Sequence, residues 1–106
     1  MNGKTRAQFE ARARIVKAMA HPARLCMVDA LAEKERCVRD LTEIVGADIS
    51  TVSKHLTLLK NAGIVAAEKR GNQVFYSLRV PCILKFFGCC ETVIKTVATE
   101  QLKMIR

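Results

Sequence analysis

The sequence predicts a mainly α-helical fold carrying one β-hairpin. Three observations lead there. Apolar residues recur at helical spacing up to about residue 62, the pattern turns extended on both sides of Gly71-Asn72, and a helical stripe resumes after Pro81.

The first helix is expected over residues 4–20, where Phe9, Ala13, Val16 and Ala20 share a face and Arg12, Arg14 and Lys17 lie elsewhere on the turn. A second begins in "HPARLCMVDALAEKE": Pro22 suits a first helical position, and Leu25, Val28 and Leu31 form one face. The third is "VRDLTEIVG", with Leu41, Ile44 and Val45 pointing together and Gly46 as the stop. In the turn "ADIS", Asp48 and Ser50 are both suited to cap the next helix, "TVSKHLTLLKNA", which ends at Gly63. "IVAAEKR" and "QVFYSLR" then flank the two-residue connection Gly71-Asn72 as hairpin strands. A last helix runs from Pro81 almost to the C-terminus. With 106 residues, no repeats and no linker long enough to divide it, the chain reads as one domain, 1–106.

Eighteen Lys and Arg against ten Asp and Glu leave a formal charge of +8, which favours a polyanionic partner, nucleic acid first. Lys85, Lys95 and Lys103 interrupt the only long apolar segment, so no membrane span is expected. The N-terminus lacks the apolar run and small-residue cleavage site of a secretory signal, and the expected location is cytoplasmic. In that reducing compartment five cysteines are expected to be free thiols. The sequence shows no phosphate loop, no nucleotide fingerprint and no His and Glu metal pair, so an enzyme is not expected.

The order of elements is that of a winged helix-turn-helix, with the helix-turn-helix at 38–62 and the wing at 64–79. A DNA-reading helix must present short polar and basic side chains on one side and core residues on the other. In "STVSKHLTLLKNAG", Val52, Leu56 and Leu59 supply the core side, leaving Ser50, Thr51, Ser53, Lys54 and His55 for base edges and phosphates. The hairpin tip, Lys69, Arg70, Asn72 and Gln73 around Gly71, is cationic and polar, as a wing beside a DNA backbone should be.

The stretches "HPARL", "DLTEIVGADISTVSKHLTLLKNAGIV" and "KRGNQVFYSL" resemble the core of the ArsR family of bacterial metalloregulatory repressors, over roughly residues 12 to 80. That resemblance implies a homodimer whose first and last helices, 1–20 and 81–106, pack across a two-fold axis, and an operator that is an imperfect inverted repeat. It also implies that an inducer lowers DNA affinity.

The inducer site has to be read from the thiols, three of which crowd into "PCILKFFGCCE". Zinc-responsive members carry His and carboxylate ligands on the last helix, and here that helix has no histidine. Arsenic-responsive members commonly show Cys-Val-Cys-Asp-Leu at the third helix. This chain reads "CVRDL", so Cys37 matches the first cysteine and Arg39 replaces the second. On the last helix Cys90 falls within the apolar stripe of Ile83, Phe86, Phe87, Val93, Ile94 and Val97, a core position, while Cys82 and Cys89 lie at its edge. Those two are about 10.5 Å apart along a regular helix, too far to hold one small ion unaided. Either the helix opens at Gly88 or another thiol lies between them. The expected site is Cys37, Cys82 and Cys89, with Cys82, Cys89 and Cys90 as the alternate set. Three thiolates favour soft ions, arsenite or antimonite first, with Cd, Pb, Hg and Cu(I) behind and no organic cofactor. Two readings of other kinds stay open: a thiol pair answering oxidants or sulfane sulfur, favoured by Arg36, Arg39 and Lys85 near the thiols, and a constitutive DNA-binding protein without inducer.

Overall fold

Local signals close most of the helices where the residue types demand it. In the computed structural model, which describes residues 1–105, α1 spans Gly3–Met19 and is capped by Asn2, whose Oδ1 accepts from the Thr5 N–H at 2.8 Å. Helix α2, Pro22–Glu33, is capped by His21, whose Nδ1 accepts from the Ala23 N–H at 3.0 Å, and Pro22 opens it. Helix α3, Val38–Val45, stops at Gly46, which takes φ 75° and returns its N–H to the Thr42 carbonyl, a left-handed turn suited to glycine. Of the two expected caps for α4, Ile49–Asn61, Asp48 is the one used.

The hairpin consists of β2, Val65–Arg70, and β3, Gln73–Leu78, paired antiparallel from Val65↔Leu78 to Arg70↔Gln73. A third strand was not expected. Residues Arg36–Cys37 form β1, which pairs with the other edge of β3 through Arg36↔Tyr76 and Cys37↔Phe75, giving the order β1-β3-β2. Two residues are too short to show the alternation that reveals a strand, so only the tertiary pairing exposes it. Helix α5, Ile83–Ile105, runs unbroken through Gly88.

The core lies where α2, α3 and α4 meet the hairpin. Met27, Val28, Leu41, Val52, Leu56, Leu59, Ile64 and Val65 are essentially closed to solvent, each burial contributing about 1.5–3 kcal/mol. Two apolar expectations shift. Leu25 is 40% exposed because α2 meets the core through Met27, Val28, Ala30 and Leu31 instead, and Ile44 is turned outward from Leu41. The outer helices behave differently from the body: α1 buries only Met19, and α5 buries no residue, although half-buried Ile83 and Phe87 touch the core. Among the described residues no helix is long and apolar enough to cross a membrane.

Candidate nucleic-acid interface and thiol positions

Helix α4 begins at a carboxylate cap that sets the direction of the exposed polar strip. The Thr51 N–H donates to Asp48 Oδ1 at 2.9 Å and the Ser50 hydroxyl reaches Asp48 Oδ2 at 3.4 Å. Hydrogen bonding, from Thr51 foremost, holds the Asp48 carboxyl below the usual carboxylate range. Val52, Leu56 and Leu59 are wholly buried, while Ser50, Thr51, Ser53 and Lys54 are exposed, as the periodicity requires.

His55 departs from the expected reading face. It is half-buried, its Nδ1 accepts from Arg24 Nε at 3.0 Å, and its ring centre lies 4.5 Å from that of His21. The reason is angular. Position 55 is three after Val52 and four before Leu59, so it borders the buried stripe. That spacing is legible in the sequence.

At the wing tip, Gly71 takes φ 65° and Lys69, Asn72 and Gln73 are exposed. Arg70 is also exposed but is already engaged: its Nη2 meets Glu35 Oε2 at 2.9 Å and Glu68 Oε2 at 3.0 Å, and its guanidinium carbon stands 4.9 Å from the Phe75 ring centre. Glu68 and then Glu35 raise the Arg70 pKa, and the pairing lowers that of Glu68. The wing's freer cation is therefore Lys69. Between the wing and the start of α4 lies a crevice of about 290 Å³, whose lining includes Cys37, Arg39, Ser53, Asn72 and Gln73.

The thiols divide into two groups. Cys37 is 7% exposed, held in β1 by its pairing with Phe75, and it occupies the N-cap of α3 without a side-chain hydrogen bond. Cys82, Cys89 and Cys90 are exposed, Cys82 in the turn just before α5 and the others on it. In a single chain Cys37 thus lies under the wing, in the crevice with Ser53 and Asn72, and is not grouped with the thiols of α5. Among the described residues of one chain, no three His, Cys, Asp or Glu side chains are grouped to hold a metal. Cys90 does lie with Phe86, Phe87 and Ile94, but that stripe is open. It faces a groove of about 630 Å³ between α1, α2 and α5, which half-buried Cys26 also lines. No histidine lies on α5, and its thiols suit soft ions, although the carboxylates of Glu91 on α5 and Asp29 on α2 line the same groove as Cys90.

This geometry has close counterparts. The family model described as "Bacterial regulatory protein, arsR family" matches residues 21–67, the span from the α2 cap into β2. The uncharacterized HTH-type transcriptional regulator Rv0081 of Mycobacterium tuberculosis is 32% identical over 92% of this chain and 86% of its own length. Its crystal structure superposes with a TM-score of 0.77, covering 90% of this chain and 96% of that one. The solution structure of a homodimeric winged helix-turn-helix DNA-binding domain, Mb0332 from Mycobacterium bovis, is similar with a TM-score of 0.72 at 29% identity, covering 96% and 91% of the two chains. The antimony-specific transcriptional repressor AntR is similar with a TM-score of 0.76 at 28% identity, covering 93% and 90%. Matching sequence, matching element order and the same winged helix-turn-helix lead to one conclusion: this chain belongs to the ArsR family of bacterial regulatory proteins and is a helix-turn-helix transcriptional regulator of that type.

Proposed function

We propose that the protein is a homodimeric repressor that holds an imperfect inverted-repeat operator and leaves it when trivalent antimony or arsenic binds thiolates at α5. The observation that carries this reading is the placing of Cys82, Cys89 and Cys90: three exposed thiols at or on the one long helix that buries none of its residues, with no histidine on it. A helix left apolar and open in one chain is the natural place for a second copy, so a thiolate site there reports directly on dimer geometry. The similarity to AntR points to the same class of ion. Inducer and operator then compete because each favours a different spacing of the two α4 helices, a coupling commonly worth about 1–3 kcal/mol. On the DNA side, Ser50, Thr51, Ser53 and Lys54 face the groove, and Lys69, Asn72 and Gln73 meet the backbone.

The test is fluorescence anisotropy of the reduced protein on inverted-repeat DNA, with antimonite, arsenite, zinc and a sulfane-sulfur donor added separately. Release by antimonite or arsenite but not by zinc is expected. Cys82→Ser and Cys89→Ser should bind DNA normally and ignore the ion. Loss of response in Cys90→Ser places the third thiol on α5, whereas loss in Cys37→Ser places it at β1, as the CVRDL resemblance implies. Loss of DNA binding in these variants would overturn the sensing role. A second reading rests on the groove shared by Cys26 and Cys90, since two thiols suffice for a disulfide when an oxidant or sulfane sulfur takes up their two electrons. Release by the sulfur donor alone, abolished in Cys26→Ser, would favour it.

A further inference from the structure

Behind the DNA-facing strip, one guanidinium joins three helices. Arg24 of α2 donates through Nε to His55 Nδ1 on α4 at 3.0 Å, and through Nη1 to the Ala18 carbonyl in the last turn of α1 at 3.1 Å. A guanidinium only donates, so this contact exists only while the His55 ring is neutral and carries its proton on Nε2. His21, stacked at a tilt on the same ring, has its own Nδ1 committed to capping α2.

We propose that Arg24 is a positioning residue for DNA binding: through neutral His55 it holds α4 against the end of α1, and protonation of His55 releases that hold. The arrangement makes the angle of the reading helix depend on α1, one of the two helices expected to pack against a second copy.

The groups around the imidazole oppose its charging. Arg24 and His21 face it from α2, Lys54 neighbours it on α4, and Arg14 and Lys17 of α1 line the adjoining groove beside Arg24. Burial first, then His21 and Arg24, push the His55 pKa below its ordinary value. With the folded value depressed, the hold is complete above the ordinary histidine range and is lost as pH falls below that range toward the lowered value. A histidine that instead met phosphate would strengthen DNA binding on acidification. The two roles therefore predict opposite signs.

The experiment measures operator affinity of wild type, His55→Gln and His55→Leu between about pH 8 and about pH 5.5 at constant ionic strength. Glutamine offers an acceptor oxygen to Arg24 but does not titrate. At neutral pH His55→Leu should lose about tenfold and His55→Gln should recover most of it. On acidification, wild-type affinity relative to that of His55→Gln should fall about tenfold. A ratio that stays level or rises with acid overturns the proposal. Arg24→Ala should match His55→Leu at neutral pH and show no acid-dependent fall. If Arg24→Ala does not fold by circular dichroism, the sign of the His55→Gln ratio still decides.

Discussion

The segment from α2 to β3 and the pair α1 and α5 are built on different principles. In the former, four wholly buried residues from α3 and α4, Leu41, Val52, Leu56 and Leu59, lock onto Met27, Ile64 and Val65, so its packing is complete within one chain. In the latter, Phe9 and Val16 of α1 and Ile94 and Val97 of α5 are each about half exposed. An isolated helix gains little from propensity alone and is held by the apolar face it packs. The lesson is that the core of the reading head closes within one chain, drawing on Met19, Ile83 and Phe87 from the outer helices, while those two helices leave most of their apolar surface open.

The largest expected effect breaks the closed half. Leu56→Ala removes a wholly buried side chain at the centre of the helix-turn-helix and should lower unfolding free energy by about 3 kcal/mol in urea titration. Next comes the incomplete half. Ile94→Asp places a charge on the open stripe of α5 and should leave the thermal unfolding of the body in place while converting the protein to a monomer by sedimentation. Losing the second half-site contact should weaken operator binding by about a hundredfold. An Ile94→Asp dimer would show that α5 is not where the copies meet.

Smaller effects sharpen the same contrast. Lys54→Ala on the exposed side of α4 should lower the slope of log affinity against log salt by about 0.9, the signature of one phosphate contact, without changing the oligomeric state. An unchanged slope would remove Lys54 from the DNA surface. The smallest test uses one substitution in both regions. Gly46→Ala forces an L residue to φ 75° and should cost about 1 kcal/mol. Gly88→Ala lies inside a continuous helix with nothing within 4 Å of the added carbon, and should instead stabilise by about 0.5–1 kcal/mol. Paired denaturation curves check both signs.

The fold was readable because its punctuation is local. Pro22, Gly46, Asp48, Gly63 and the Gly71-Asn72 turn act within a few residues of themselves, and the start of α2, the end of α3, both ends of α4 and the hairpin register follow from them, whereas α5 begins at Ile83, two residues after the expected Pro81. The polar strip of α4 was equally plain, since helical period alone separates Ser53 and Lys54 from Val52 and Leu56. The functional detail was less accessible. Arg70 belongs to the cationic tip by residue type, but its partner Glu35 lies thirty-five positions away, and only the wing's fold against the α2–β1 connection pairs them.

What the sequence determined by itself is the order of elements, the helix-turn-helix with its wing, the basic charge and the grouping of thiols. Those properties come from residue type and short spacing, which need no knowledge of what lies across the molecule. Tertiary structure alone decided that Cys37 is buried in a two-residue strand beneath the wing, that Cys26 and Cys90 share a groove, that His55 is Arg24's acceptor, and that α5 stands open. Each of these depends on contacts between residues far apart in the chain, where the energy of a buried hydrogen bond or an unfilled apolar face is set by what the fold brings alongside.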